Sequence, residues 1–459
     1  MAVMPNVTLV ELTPLKSAFL VWRSQRSGPM LSIVSKATYK LVKGVSPLAD
    51  VQDDVNERDL HKENNPSMGL HSSSDLVPFK PRADVTLVGK AYAPPGELAQ
   101  SLIARLHVGS VDKHVAVHAE RYLSRSGRVK ADKFFSKMPL GYERAPGGKG
   151  TDNPVGLHLG DRPDSRGRVR LPNLQRPDET IGGRDTKLSP IGFGPIPASW
   201  PSRAARVDQD APWLTGDFLA GPIADDQDWA FFNVAPRDQQ LPVILDDQLI
   251  VLEHLHPEEP KLATRLPGIR PTAFVERAGG AQPLPMRGDT LWIDTNRLVQ
   301  TVTWRAQLPL ESLDGPVRVL VAHATPELEP TWDQACERAQ APKPDEEEER
   351  KPLHRPIRHA GPMSVRSHIT SPVPLVPTND HTPVWVPTSP GSSENAAAPM
   401  SSAHPPVSSA RVPGSGYRVE VALDDADTMK LRLLCESLGC EPAEALRYLL
   451  REAHKQRFG

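Results

Sequence analysis

Cysteine is scarce in this 459-residue chain, which has only Cys336, Cys435 and Cys440. Three cysteines so late in the sequence are too few for a disulfide framework, and such scarcity is typical of a reducing compartment. The formal net charge is only −2, so the charge balance gives no general attraction to nucleic acid. No stretch approaches the roughly 20 apolar residues needed to cross a bilayer. We therefore expect neither a membrane association nor a nucleic-acid partner.

Export and catalytic motifs are missing as well. Glu11, Pro14 and Lys16 interrupt the position where the apolar run of a secretion signal would lie, so we expect a cytoplasmic location. No GxSxG motif, P-loop or GxGxxG motif occurs in its required context, and there is no HExxH motif or CxxC pair. His254 and His256 alone are too few to hold a metal ion. The sequence thus predicts no catalytic residues, no metal site and no cofactor.

What the chain does contain is a series of short segments rich in β-branched and apolar residues, separated by proline and glycine turns. Such segments are typical of antiparallel strands. They cover residues 8–12, 18–22, 31–41, 84–93, 102–108, 114–122, 241–255, 290–306 and 317–323. The region after residue 135 is rich in turns, and long ordered loops are uncommon unless they are functional. We predict a mainly β body over residues 1–325, with antiparallel, sandwich-like sheets and long ordered loops.

The composition changes near residue 341. An acidic run at residues 345–349 is followed by a segment dominated by proline, serine, alanine and histidine. This segment has too few apolar residues to offset the entropy of ordering it. We predict a flexible, disordered linker over residues 326–415.

A different pattern begins at residue 416. One strictly alternating strand at 417–423 precedes two amphipathic helices, the first ending near Gly439 and the second beginning at Pro442. This strand–helix–helix module, residues 416–459, resembles the ribbon–helix–helix fold, in which two chains pair their strands. Since so small a unit cannot build a stable core alone, we predict a homodimer or docking on a partner.

Proteins with the ribbon–helix–helix fold usually read DNA with the outward side chains of the strand. Here those side chains would be Arg418, Glu420 and Ala422. Glu420 would repel phosphates, and Ala422 can make only apolar contact with a base. We therefore favour dimerisation or docking, and a DNA-binding regulator is the weaker alternative.

Polar motifs punctuated by proline and glycine follow one another through the body. They are SDLVPFKPRADVTLVGKAYAP at 74–94, MPLGYERAPGG at 138–148, NPVG at 153–156, LPNL at 171–174, FGPI at 193–196, FNVAPRDQ at 232–239 and WR at 304–305. In this order they resemble the DUF2169 family. The resemblance implies a non-enzymatic adaptor or chaperone of bacterial type VI secretion, which binds and stabilises a toxic effector and helps to load it onto the spike protein.

The side chains of these motifs are the candidates for binding or for structural roles. They are Asp75, Lys80, Pro81, Asp84, Glu143, Arg144, Gly147, Gly148, Asn153, Asn173, Asn233, Asp238 and Arg305. The alternating charges from Asp75 to Asp84 fit either a polar recognition site or a group that fixes the start of the next strand. We favour the second role, because short charged pairs at strand ends are common.

Glu143 and Arg144 are adjacent, and neighbouring residues on a strand point to opposite faces. We therefore expect them to hold loops through hydrogen bonds between side chains and the backbone, as buried polar loops require. The alternative class is an enzyme of unassigned chemistry, for example a hydrolase, whose best candidates for an acid/base cluster are Glu143, Asp238 and Arg305. Nothing in the sequence brings those three together.

Overall fold

The computed structural model describes residues 6–131, 133–277, 280–313, 315–325 and 329–340, and two short strands closer to the carboxyl terminus. The five ranges belong to one compact unit, and the two strands belong to a second unit spanning residues 342–423. The first unit is built mainly from β-strands, as the sequence predicts.

The largest structural element is a six-stranded sheet, here called the central sheet. Its strands, in spatial order, are Gln240–Leu241, Ala83–Val88, Arg287–Asp294, Val299–Pro309, Gly28–Lys40 and Lys16–Ser24. Ala83–Val88 and Arg287–Asp294 run parallel, and the other neighbours are antiparallel. The parallel pair joins strands about 200 positions apart in the chain and is therefore a long-range contact.

Two further sheets complete the body. One has the order Leu174–Gln175, Val111–His118, Ser101–Val108, Leu249–Glu253, Lys261–Arg265 and Gly44–Val45, and the other has the order Val7–Glu11, Val317–Ala324, Arg270–Arg277 and Gly280–Pro285. Each contains one parallel pair, formed by Gly44–Val45 with Lys261–Arg265 and by Val7–Glu11 with Val317–Ala324. The prediction of antiparallel sheets thus holds for most strand pairs but not for these three.

Short strands and helices connect the large sheets. The short strands are Leu60–His61 with Leu70–Ser72, Lys90–Tyr92 with Lys137–Pro139, and Arg121–Leu123 between Val129–Ala131 and Val169–Arg170. The helices are the α-helices Pro201–Ala204 and Trp332–Gln340 and the 3₁₀ helices Lys62–Asn64, Tyr142–Arg144, Pro212–Thr215, Trp229–Phe232 and Arg237–Gln239. Among the described residues, no helix has the length and apolar composition that a membrane crossing needs.

The largest cluster of buried hydrophobic residues draws on all three large sheets. Ile33 and Val302 come from the central sheet, Leu106 and Val115 from the second, and Val319 from the third, and all five are fully buried. Since period-2 alternation places every second residue of a strand on one face, these residues leave polar side chains on the opposite face of the central sheet. That second face holds the candidate site.

The helix Trp332–Gln340 lies within the range that the sequence assigns to the linker. Its Ala335 is buried against Phe274 and Leu320 of the third sheet, so ordered structure in the first unit continues beyond residue 325. In the second unit, Ser408–Arg411 also falls inside the predicted linker, and it pairs antiparallel with Arg418–Val421. The rest of the predicted linker and both predicted carboxy-terminal helices lie outside the described residues.

Candidate functional site

The candidate residues of the first motif lie on the polar face of the central sheet or in the segment that covers it. Asp84, Thr290, Thr303 and Lys36 occupy neighbouring positions on adjacent strands. All four are at least 95% buried, because residues 74–82, here called the strap, lie across this face. A polar face that is covered in this way must satisfy its hydrogen bonds internally.

Side chains of the sheet hold the backbone of the strap. Arg305 donates from one terminal nitrogen to the carbonyl of Val77 at 2.7 Å and from the other to the carbonyl of Asp75 at 2.8 Å. Arg287 donates to the carbonyls of Lys80 and Pro81, both at 3.2 Å. The guanidinium groups thereby satisfy carbonyls of an irregular segment that has no strand partner of its own.

Three buried ion pairs lie on this face; two of them join the strap to the sheet, and the third joins two strands of the sheet. They are Lys36–Asp75 at 2.9 Å, Lys80–Asp84 at 2.9 Å and Arg305–Asp289 at 2.6 Å. Each pair is neutral in sum, and each charged group has further hydrogen bonds, which buried ions require. Thr290 connects two of the pairs, since its hydroxyl accepts from Lys80 and donates to Asp289.

The carboxylate of Asp84 also anchors the FNVAPRDQ motif. It accepts hydrogen bonds from the side-chain amide of Asn233 at 2.9 Å and from the backbone N–H groups of Val234 and Ala235 at 3.0 and 3.1 Å. Two motifs about 150 positions apart thus meet at one fully buried carboxylate. This geometry gives Asp84 a structural role that goes beyond the start of a strand.

A second group of motif residues surrounds the 3₁₀ helix Tyr142–Arg144. Glu143 pairs with Lys62 at 3.1 Å and accepts from the backbone N–H of Gly69 at 2.9 Å, and the cationic partner and the N–H donor hold its pKa below the usual range despite partial burial. The two adjacent residues therefore lie on a helical turn and not on a strand. Glu143 and Arg144 still have separate partners, because Arg144 donates hydrogen bonds to Glu120 and Asn173.

Asn153 and Gly147 close the loop after this turn. The fully buried side-chain amide of Asn153 donates to the carbonyls of Tyr142 and Pro146, both at 2.9 Å. The N–H of Gly148 in turn donates to the carbonyl of Asn153 at 2.9 Å. A Cβ at Gly147 would lie 2.2 Å from that same carbonyl oxygen, so only glycine fits there. These contacts hold the loop between Gly147 and Asn153 in place.

Arg144 and Asn173 join the loops to the second sheet. Arg144 donates to Glu120 at 2.8 Å and to the side-chain oxygen of Asn173 at 2.9 Å. Asn173 donates its side-chain amide to the carbonyl of His118 at 3.1 Å. Glu120 also pairs with Arg170 at 3.0 Å, so it works as a bridge between two arginines.

The imidazole of His118 makes stability in this region depend on pH. Burial lowers its pKa to about 4, and the nearby Arg121 contributes to this shift. Between about pH 6.5 and 4 the unfolded chain binds a proton that the folded chain does not, so the free energy of unfolding falls as the pH drops. The slope from this residue is below about 1.4 kcal/mol per pH unit, since the ring keeps some solvent contact.

We expect the variant His118→Gln to show a shallower dependence of stability on pH than the wild-type chain. Urea unfolding at several pH values between 4 and 7.5 measures this, because other titrating groups are common to both proteins and cancel in the difference. Equal slopes of unfolding free energy against pH for the two proteins would contradict the assignment of this pH dependence to His118.

Asp238 belongs to a third location. It pairs with Lys113 at 3.0 Å, and Lys113 also donates to Gln239 at 2.8 Å. Burial lowers the pKa of Lys113, and the charge of Asp238 opposes that shift. Asp238, Glu143 and Arg305 thus have three different ionic partners, and the described structure does not pair them as an acid/base cluster.

His254 and His256, which the sequence analysis finds too few to hold a metal ion, do not share a strand. The strand Leu249–Glu253 ends before them, and His254 has a left-handed φ of 57°. His256 is buried, and its ring accepts from the N–H groups of Glu258 and Glu259. Within the described ranges, no three histidine, cysteine, aspartate or glutamate residues are arranged to hold a metal ion.

Several partners in these networks were not singled out from the sequence. Each of four such residues forms an ion pair with a candidate residue: Lys36 with Asp75, Asp289 with Arg305, Lys62 with Glu143 and Lys113 with Asp238. For Lys36 a signal did exist, because it is a charged residue inside the apolar run 31–41.

In the second unit, Arg418 and Glu420 lie in the strand Arg418–Val421, and Ala422 falls outside the described residues.

The fold and the networks define a β-rich body whose long loops are fixed by buried ion pairs and by asparagine and arginine side chains. The chain belongs to the DUF2169 family, described as an uncharacterized protein conserved in bacteria, whose sequence profile matches residues 26–305. No curated protein and no solved structure matches the chain.

Proposed function

We propose that this protein is an adaptor or chaperone that binds a type VI secretion effector and aids its loading onto the spike protein. The observation that carries the proposal is an exposed apolar pair, Leu98 and Phe134, beside a cleft lined mainly by cationic side chains. Family membership supports the same role through what the DUF2169 resemblance implies.

Leu98 and Phe134 lie on either side of a bridge between two chain segments. Ala99 and Phe135 exchange two backbone hydrogen bonds of 2.9 Å, and Phe135 is buried in the core. Since alternate residues of an extended segment face opposite sides, the neighbours Leu98 and Phe134 face away from the core and are 66% and 60% exposed. Exposed aromatic side chains of this kind are frequent anchors of protein interfaces.

The adjacent cleft, here called the basic cleft, has a volume of about 330 Å³. Its charged lining consists of Arg121, Lys133, Arg162, Arg168 and Arg170 with the carboxylates Glu120 and Asp164. Glu120 pairs with Arg170 and Asp164 with Arg168, so the cationic groups exceed the carboxylates. Lys133 of the cleft lining directly precedes Phe134 in the chain.

An effector surface with an apolar centre and acidic side chains at its edge would fit this combination. Apolar burial would supply affinity, and the surplus of positive charge would orient the partner and accelerate its association. The loops around the cleft are held by the Arg144–Glu120 and Asn173 contacts, so the surface is formed before binding and little ordering entropy is lost.

The proposal predicts that Phe134→Asp removes most of the effector from the complex. The chain and the effector encoded beside its gene would be co-expressed, and the amount of effector retained with the tagged chain would be measured. We expect at least a tenfold loss, because a charge replaces an apolar anchor. The matched control is Leu245→Asp, since Leu245 is another exposed leucine, at 51%, and should retain the effector.

The cellular role is tested by deleting the gene in the native bacterium. We expect lower abundance and lower secretion of the neighbouring effector, and both should return with the wild-type gene but not with the Phe134→Asp gene. Unchanged effector abundance and secretion after the deletion would overturn the proposed function.

A further inference from the structure

A cavity of about 390 Å³ lies on the polar face of the central sheet. Its floor includes Thr86, Trp292 and Thr301, which are neighbours on three adjacent strands. Ser73 of the segment 70–73 and Asp54 line its walls. The volume falls within the range of about 300–1,000 Å³ typical of small-molecule sites, and it would hold roughly ten or more water molecules at about 30 Å³ each.

Three hydroxyl groups in this cavity have no partner. Thr86, Thr301 and Ser73 are 1%, 2% and 8% exposed, and within the described part of the chain their hydroxyls make no hydrogen bond. The other threonines on the same face are all partnered: Thr38 accepts from the N–H of Asp53, Thr290 donates to Asp289, and Thr303 donates to Asp75. The unpartnered hydroxyls on this face are thus the ones that line the cavity.

The carboxylates around the cavity are paired with cations except for that of Asp54, which is exposed and makes no ion pair with a described residue. Asp53 receives two hydrogen bonds from Arg297, at 2.7 and 2.8 Å, and Asp75 pairs with Lys36 at 2.9 Å. His71 at the wall is partly buried, and this burial lowers its pKa and favours the uncharged ring. An anion would meet Asp53, Asp54 and Asp75, and a cation would meet Lys36 and Arg297. The lining therefore suits a ligand without charge.

We propose that this sheet cavity binds a small, uncharged polyhydroxyl ligand, of the size of a neutral monosaccharide or cyclitol. Hydroxyl groups both donate and accept hydrogen bonds, so the ligand hydroxyls match Thr86, Thr301 and Ser73 without requiring a fixed charge. The indole nitrogen of Trp292 is held by the carbonyl of His71 at 3.0 Å, which fixes an aromatic side chain in the lining for contact with the apolar C–H groups of a sugar ring.

The test is saturation-transfer NMR on the full chain with five named probes. Glucose, N-acetylglucosamine and myo-inositol are the neutral ligands, and glucuronate and glucosamine carry one negative and one positive charge on a comparable ring. We expect a signal from at least one neutral probe and weaker signals from the charged pair. No signal from any neutral probe, or a stronger signal from a charged probe, would overturn the proposal.

Two substitutions assign the signal to this cavity. Thr86→Val and Thr301→Val each remove an unpartnered hydroxyl and keep the shape of the side chain, so folding should persist, which thermal unfolding can verify. We expect each to weaken binding of the neutral probe at least tenfold. Binding that is unchanged in both would place the ligand elsewhere and refute the assignment.

The control is Thr264→Val in the second sheet. Thr264 is 1% exposed, and its hydroxyl bonds that of Ser46 at 2.6 Å. This variant should lower the unfolding temperature and leave probe binding as in the wild type. If it reduced binding as much as Thr301→Val, the loss would reflect general destabilisation and the proposed contact would be wrong.

Discussion

Replacing Asp84 by alanine should lower the free energy of unfolding by about 3–5 kcal/mol, the range for removing one partner of a buried ion pair. Asp84 is fully buried, and its removal leaves the ammonium group of Lys80 with Thr290 as its remaining described partner. The backbone N–H groups of Val234 and Ala235 also lose their acceptor. Urea unfolding monitored by tryptophan fluorescence measures the change.

Two further variants sharpen this expectation. Lys80→Met should lower the free energy of unfolding less than Asp84→Ala does. In this variant the carboxylate of Asp84 keeps its hydrogen bonds from Asn233, Val234 and Ala235. Asp50→Ala is the matched control, since Asp50 pairs with Lys40 on the surface and its side chain is 86% exposed. We expect no measurable change for the control. A loss of under about 1 kcal/mol for Asp84→Ala would show that the buried pair is not required.

Gly147→Ala should be the second strongly destabilising change. The added Cβ would lie 2.2 Å from the carbonyl oxygen of Asn153 and 2.8 Å from its side-chain nitrogen, and a backbone atom cannot move aside as a flexible side chain can. Overpacking costs typically about 1–3 kcal/mol, and here the same displacement also strains the hydrogen bonds from Asn153 to Tyr142 and Pro146. Thermal and urea unfolding give the size of the effect.

The chain supplies a matched control in the same loop-rich region. A Cβ at Gly183 would meet no atom within 4 Å, and its φ is not in the left-handed range. Gly183→Ala should therefore leave stability unchanged or raise it by up to about 1 kcal/mol, since alanine restricts the unfolded chain. If Gly147→Ala behaved like Gly183→Ala, the close packing of the loop on Asn153 would not matter for stability.

Local patterns predicted most of the strands and the family. Period-2 alternation and β-branched residues marked segments such as 31–41 and 102–108, which correspond to Gly28–Lys40 and Ser101–Val108. The order of the polar motifs predicted a resemblance to the DUF2169 family, which the family profile over residues 26–305 confirms. Alternation is a local pattern and motif order is a property of the chain's sequence, so both can be read from a single sequence.

The ribbon–helix–helix module, the homodimer and the cytoplasmic location stay predictions. The described part of that module is the strand Arg418–Val421, paired with Ser408–Arg411 of the same chain. The two helices on which the resemblance depends lie outside the described residues. The adaptor role likewise remains the proposal that the effector experiments test.

The sequence by itself determined the β-rich class of this protein, its motif order and the residue types available for its polar networks. The tertiary structure decided which of those residues meet. Thr86 lies beside Trp292 because Ala83–Val88 pairs in parallel with Arg287–Asp294. Arg305 meets Asp289 across the antiparallel pair of Arg287–Asp294 and Val299–Pro309, and Asp84 meets Asn233 of a distant loop. Strands about 200 positions apart are brought together by burial of the shared core, and no local pattern specifies that register.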